Sequence, residues 1–100
     1  MIIDEPTKFR KNIRNKFTEF TENPVKSTNL EIGIFNFTLK EAQTRKVVKK
    51  WDNSHFVQLY IDRLRTIYMN LKKTEIVEKL KSNSITPQAL ASMTHYEMYP

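Results

Sequence analysis

Apolar residues recur along this chain at helical spacing. Phe56, Tyr60, Leu64, Ile67 and Leu71 fall at i, i+4, i+8, i+11 and i+15, a stripe that Val57, Ile61 and Tyr68 widen. The pattern predicts a core helix that starts at Asp52, Asn53 or Ser54 and runs to about Lys72. A second stripe, Phe9, Ile13, Phe17 and Phe20, predicts an earlier helix from Lys8 to Glu22, leaving residues 1–7 as a tail. Its other face is cationic, with Lys8, Arg10, Lys11, Arg14 and Lys16, and reads as a solvated side or a phosphate-contacting one. Asn23-Pro24 is expected to stop that helix, because proline restricts the residue before it and lacks an amide proton.

Between these two stripes the phase is less regular. Ser27 or Thr28 is expected to cap a helix from about Asn29, with Glu31 favourably placed near its positive start. The segment from Lys40 to Lys50 carries Lys40, Arg45, Lys46, Lys49 and Lys50 against one acid, Glu41, and is expected to lengthen that helix. Beyond the core stripe, Thr74 should cap a short helix containing Ile76, Val77 and Leu80. Thr86-Pro87 should open another, as a cap followed by proline at the first helical position. Thr94 and Glu97 have the spacing of a capping box. So late a box suggests an excised fragment of a longer protein. One glycine and four prolines leave few of the breaks that closely spaced strands need, so the expected fold is all-α: a bundle of three main helices plus short C-terminal helices. Trp51, Tyr60, Tyr68 and the phenylalanines are expected in the core.

One hundred residues allow a single small domain. The charge of +6 and isoelectric point near 9.7 call for an acidic partner: nucleic acid, an anionic membrane surface or an acidic protein groove. No apolar run approaches a membrane span and no signal-peptide layout begins the chain, so a membrane or secreted role is not expected. Cysteine is absent, which excludes disulfides and thiolate chemistry. His55 and His95, read as helix-start surface residues, cannot form a structural zinc site by themselves. The acids are scattered and offer no paired carboxylates in a pocket, so the chain is not expected to be an enzyme.

Two ordered blocks carry a family resemblance. Tyr60-Ile61-Asp62-Arg63-Leu64-Arg65-Thr66 with Asn70-Leu71, and Ile85-Thr86-Pro87 with Ala91-Ser92-Met93-Thr94 and Glu97-Met98, resemble the central, polymerase-docking domain of transcription elongation factor S-II (TFIIS). Leu30-Glu31-x-x-Ile34-Phe35 is similar to a further family element, and Arg10, Arg14 and Phe17 fit its first helix loosely. The resemblance spans roughly residues 8–99. It departs from the family between Phe35 and Tyr60, where this chain takes 25 residues and most cellular members are shorter. That segment and the Lys/Asn/Thr-rich composition suit a divergent member, compatible with a large DNA virus that has its own polymerase.

The resemblance implies a partner, a multisubunit DNA-directed RNA polymerase bound through its largest subunit, with Arg63, Arg65, Lys72 and Lys73 as the docking residues. Arginine's forked donors suit carboxylates there. Lys46, Lys49 and Lys50 form a further candidate basic contact face. The competing reading gives Arg63 a salt bridge within the bundle and pairs Arg65 with Asp62 one turn back. Family proteins also carry a C-terminal zinc ribbon that promotes transcript cleavage and rescue of arrested polymerase; this chain cannot build it, so no cofactor or catalytic residue is expected here. Nucleic acid would be met only indirectly, the domain would be monomeric, and its compartment would be the nucleus or a cytoplasmic viral replication site. Two other functions stay open, a docking adapter without cleavage activity and a basic helical DNA-binding module.

Overall fold

A computed structural model of the chain describes residues 2–93. The expected capping box at Thr94 and Glu97, and His95, lie outside the described residues. Five helices follow one another: α1 (Pro6–Thr21), α2 (Pro24–Thr44), α3 (Ser54–Leu71), α4 (Thr74–Lys81) and α5 (Pro87–Ser92), with no strand among the described residues. The all-α bundle is present, with three main helices packed together and the two short ones set against them.

The corner between α1 and α2 differs from the expectation. α1 stops at Thr21, just ahead of Asn23-Pro24 as expected, but Pro24 is also the first residue of α2, and the Asn23 side chain caps that helix by accepting from the amides of Val25 (3.0 Å) and Lys26 (3.1 Å). An asparagine followed by proline is a good cap and first helical residue, and this local chemistry prevails over the expected Ser27 or Thr28 cap. The reversal is made one residue earlier, where Glu22 takes the left-handed conformation with φ of 56°. Ser27 is instead buried, its hydroxyl 2.7 Å from that of Thr21 across the corner.

α1 begins at Pro6, two residues before Lys8, and the segment ahead of it is held down. Ile3 is buried, and its amide donates to the Trp51 carbonyl at 3.0 Å. Trp51 serves as the hub for this end of the molecule. Its ring stacks on Phe35 (centroids 5.6 Å apart) and meets the edges of Phe56 (5.2 Å) and Tyr60 (5.1 Å). Such stacked and edge-on aromatic pairs fix relative position as well as bury area.

The α3 stripe is inside as expected: Phe56, Val57, Tyr60, Leu64, Ile67 and Leu71 are all buried, together with Phe17 of α1 and Leu30 and Ile34 of α2. Phe9, Ile13 and Phe20 are half-buried and pack on that core. Asn53 alone of the three candidate caps starts α3, accepting from the amides of His55 and Phe56. His55 is exposed beside it. The expected lengthening of α2 is half realised. The helix continues to Thr44, then Lys46 adopts a φ of 57° and the Val47 amide returns to the Ala42 carbonyl at 2.8 Å, which closes the helix. Lys46, Lys49 and Lys50 therefore stand on a loop.

The single glycine, Gly33, is buried in α2 where α5 crosses. A β-carbon there would stand 2.8 Å from the Ala91 methyl and 3.3 Å from the Gln88 α-carbon, so the residue is a site of close helix approach and not a turn. α5 starts as expected, with Thr86 Oγ1 accepting from the Ala89 amide at 3.1 Å and Pro87 next. For α4 the expected cap does not form: Thr74 is its first helical residue, Lys73 takes the cap position, and no side chain caps it.

Candidate functional site

Two cations from the main helices hold the two short helices by their ends. On α2, Lys26 Nζ donates to the Leu80 and Lys81 carbonyls at the end of α4. On α3, Arg63 Nε donates to the Ala91 carbonyl at 2.8 Å and Nη2 to the Met93 carbonyl at 2.7 Å, at the end of α5. Both arrangements bring charged donors to carbonyls at a helix end and place positive charge at the negative end of the helix dipole. The Arg63 guanidinium also lies 4.1 Å over the Phe37 ring. Its pKa is lowered, chiefly by burial, and the charge of Glu41 partly opposes the shift.

A second polar centre lies inside the bundle. Glu31 is fully buried, and its carboxylate accepts from Arg10 Nε (2.8 Å), Arg14 Nε (2.9 Å) and the Tyr60 hydroxyl (2.8 Å). Arg14 Nη2 adds a further contact at 2.8 Å. These are charge-assisted bonds from three donors on two other helices. Arg10 stacks over Phe35 at 4.2 Å. Burial would lower the Arg10 pKa, but the hydrogen bond and charge of Glu31 outweigh it, and the net direction is upward. The Tyr60 hydroxyl is pushed up strongly by burial and then by the Glu31 charge, so it stays a neutral donor. This centre corrects the picture of α1 as a helix with one uniformly solvated basic face: Arg10 and Arg14 are half-buried, with Lys8, Lys11 and Lys16 left outside.

Of the candidate docking residues, the structure separates Arg63 from the rest. Arg65, two residues on, projects from a different side of α3. It is exposed and forms no ion pair or hydrogen bond among the described residues; the competing pairing with Asp62 does not form there, and Asp62 accepts from Gln58 Nε2 at 2.7 Å. The competing salt bridge of Arg63 does not form among the described residues either; its bonds go to backbone carbonyls. Lys72 lies two turns further along the same flank, exposed, with its ammonium 5.2 Å from the Tyr68 ring centroid. Lys73 is half-buried at the start of α4. Met69, which the sequence pattern did not single out, is 52% exposed one turn past Arg65.

Lys46, Lys49 and Lys50 are brought together on the α2–α3 loop, all exposed. Arg45 at its start pairs with Glu41 at 3.3 Å, an exposed contact of little energetic weight. No cluster of three or more metal-ligating side chains occurs among the described residues, and no helix there is long and apolar enough to cross a membrane.

The helical arrangement is a three-helix core that carries an exposed basic flank at Arg65 and Lys72, with two short helices clamped by their carbonyl ends. The model of the transcription factor S-II (TFIIS) central domain matches residues 5–100. The chain therefore belongs to the TFIIS central-domain family, a class of polymerase-binding domains of transcription elongation factors. No curated protein and no solved structure matches it.

Proposed function

We propose that this domain anchors an elongation factor on the largest subunit of a multisubunit RNA polymerase through the α3 flank of Arg65 and Lys72. Within a complete factor, this anchoring would serve the rescue of arrested polymerase by transcript cleavage. The observation that carries the choice of surface is the difference between the two arginines of the family motif. Arg63 donates to the carbonyls at the end of α5, whereas Arg65 is exposed with no partner among the described residues and so offers a full bidentate fork to an acidic surface. Arg63 acts indirectly, by keeping α5 seated. The domain contributes binding and not chemistry, carries no cofactor of its own, is monomeric, and works wherever its polymerase transcribes, in the nucleus or at a cytoplasmic viral replication site.

Arg65→Glu tests the surface. Charge reversal at an exposed position leaves the fold intact and introduces repulsion at an acidic dock, so affinity for the cognate polymerase should fall at least about tenfold, a difference of about 1.4 kcal/mol. The thermal transition should be unchanged. Equal affinity of the variant and the parent would remove Arg65 from the interface.

A further inference from the structure

Beside Arg65 the surface between α1 and α3 is not flat. A groove of about 280 Å³ opens there, lined by buried Phe17 and Leu64 and half-buried Ile13 and Ile61, with Lys16 on the α1 rim and Arg65 on the α3 rim. Both rim cations are exposed, neither has a partner among the described residues, and no carboxylate lines the groove. We infer that this groove is the anchor site of the docking surface. It takes an apolar side chain from an acidic segment of the polymerase, whose carboxylates pair with Lys16 and Arg65 on either side.

This inference rests on the docking proposal and adds the chemistry of what is bound. Charge complementarity selects the occupant. Two cations across an apolar floor fit an apolar residue flanked by Asp or Glu, and the exposed Met69 one turn past Arg65 extends the apolar contact along α3. A second copy of this chain is disfavoured, because each copy carries a net charge of +6. A nucleic acid would meet the rim but leave the apolar floor unsatisfied. The volume lies just under the roughly 300–1,000 Å³ usual for small-molecule sites and suits single side chains of a protein partner. Apolar anchors seated in pockets with a charged rim are the usual form of an interface hot spot.

The test measures affinity of the chain for its cognate polymerase, over a range of salt, for three variants: Lys16→Glu, Ile61→Ser and Arg65→Glu. Lys16 is an exposed residue of a different helix, so its reversal leaves the fold untouched, and a dock confined to the α3 flank would not register it. The groove predicts a loss of roughly tenfold for Lys16→Glu, with a shallower salt dependence, because a rim charge acts through screened electrostatics. It predicts a comparable loss for Ile61→Ser with the salt dependence unchanged, because only apolar contact is removed. A variant Ile61→Ser that binds as the parent does overturns the groove, and so does such a result for Lys16→Glu. Should Ile61→Ser lose its thermal transition, Lys16→Glu decides alone. If Arg65→Glu loses binding while the other two retain it, the groove falls and the docking surface stands; if all three bind normally, the docking proposal falls with it.

Discussion

Ile67→Asp is expected to abolish the cooperative unfolding transition of the domain. Ile67 is fully buried in the C-terminal half of α3, between Leu64 and Leu71 on the stripe that packs in one core with Phe17, Leu30 and Ile34. The substitution deletes a large apolar side chain and puts a carboxylate where no donor is aimed. The first effect alone costs about 2–5 kcal/mol for truncation of a buried aliphatic residue, and an unpaired buried charge adds several more or forces the group to stay protonated. Domains of this size have only about 5–15 kcal/mol in total. Chemical denaturation followed by circular dichroism should show a sloping loss of helix and no midpoint. A variant that keeps a sharp transition within about 2 kcal/mol of the parent would mean that α3 is not the core helix.

The second large effect is expected at Glu31. Glu31→Gln preserves shape but replaces one acceptor oxygen by an amide that donates, in a site where Arg10, Arg14 and Tyr60 all present donors. Breaking a buried pair from one side costs about 3–5 kcal/mol. The lower end applies here, because the side chains of Arg10 and Arg14 keep 22% and 32% of their exposure and can turn towards water. The expected loss is therefore about 3 kcal/mol. The companion variant, in which Glu31 becomes Leu and both Arg10 and Arg14 become Met, should be much closer to the parent, since an apolar replacement of the whole cluster leaves no orphaned group. A loss under about 1 kcal/mol for Glu31→Gln would show that the cluster is not a structural centre.

The contrast between these two sites explains how much of the fold could be read from sequence. The α3 stripe was legible because periodicity of large apolar residues is a local signal: Phe56, Tyr60, Leu64, Ile67 and Leu71 are all buried, with Ile61 and Tyr68 half-buried at its margin. Glu31 was not legible. An acid near a presumed helix start reads as a dipole partner, but α2 begins at Pro24, so Glu31 lies in its third turn and faces the interior. Its partners come from α1 and α3, at separations of 17 to 29 residues in sequence, and no periodicity connects them. The same long-range partnership hid Arg10 and Arg14, which share a helix side with truly solvated lysines. Gly33 was misleading in a different way: a lone glycine counts as a scarce turn signal, yet its use is to let α5 approach α2.

The candidate docking residues divide along a similar line. The family motif brings Arg63 and Arg65 forward together, since both stand in one ordered block. Two residues apart on a helix, they project on different sides by about 200°, and only coordinates can tell which side the short C-terminal helices cover. They cover Arg63. Lys46, Lys49 and Lys50 were expected in a helix extension, and the left-handed turn at Lys46 ends the helix, leaving them on the basic loop between α2 and α3.

The most direct test of the account is a competition assay on stalled elongation complexes of the cognate polymerase, with the complete cleavage factor present and this chain added in excess. The account predicts that the chain alone leaves the nascent transcript intact and that increasing amounts of it suppress shortening by the complete factor, because both need the same dock. Transcript shortening by the chain alone would contradict the division between binding and chemistry. Undiminished shortening at an excess of the chain would contradict docking itself.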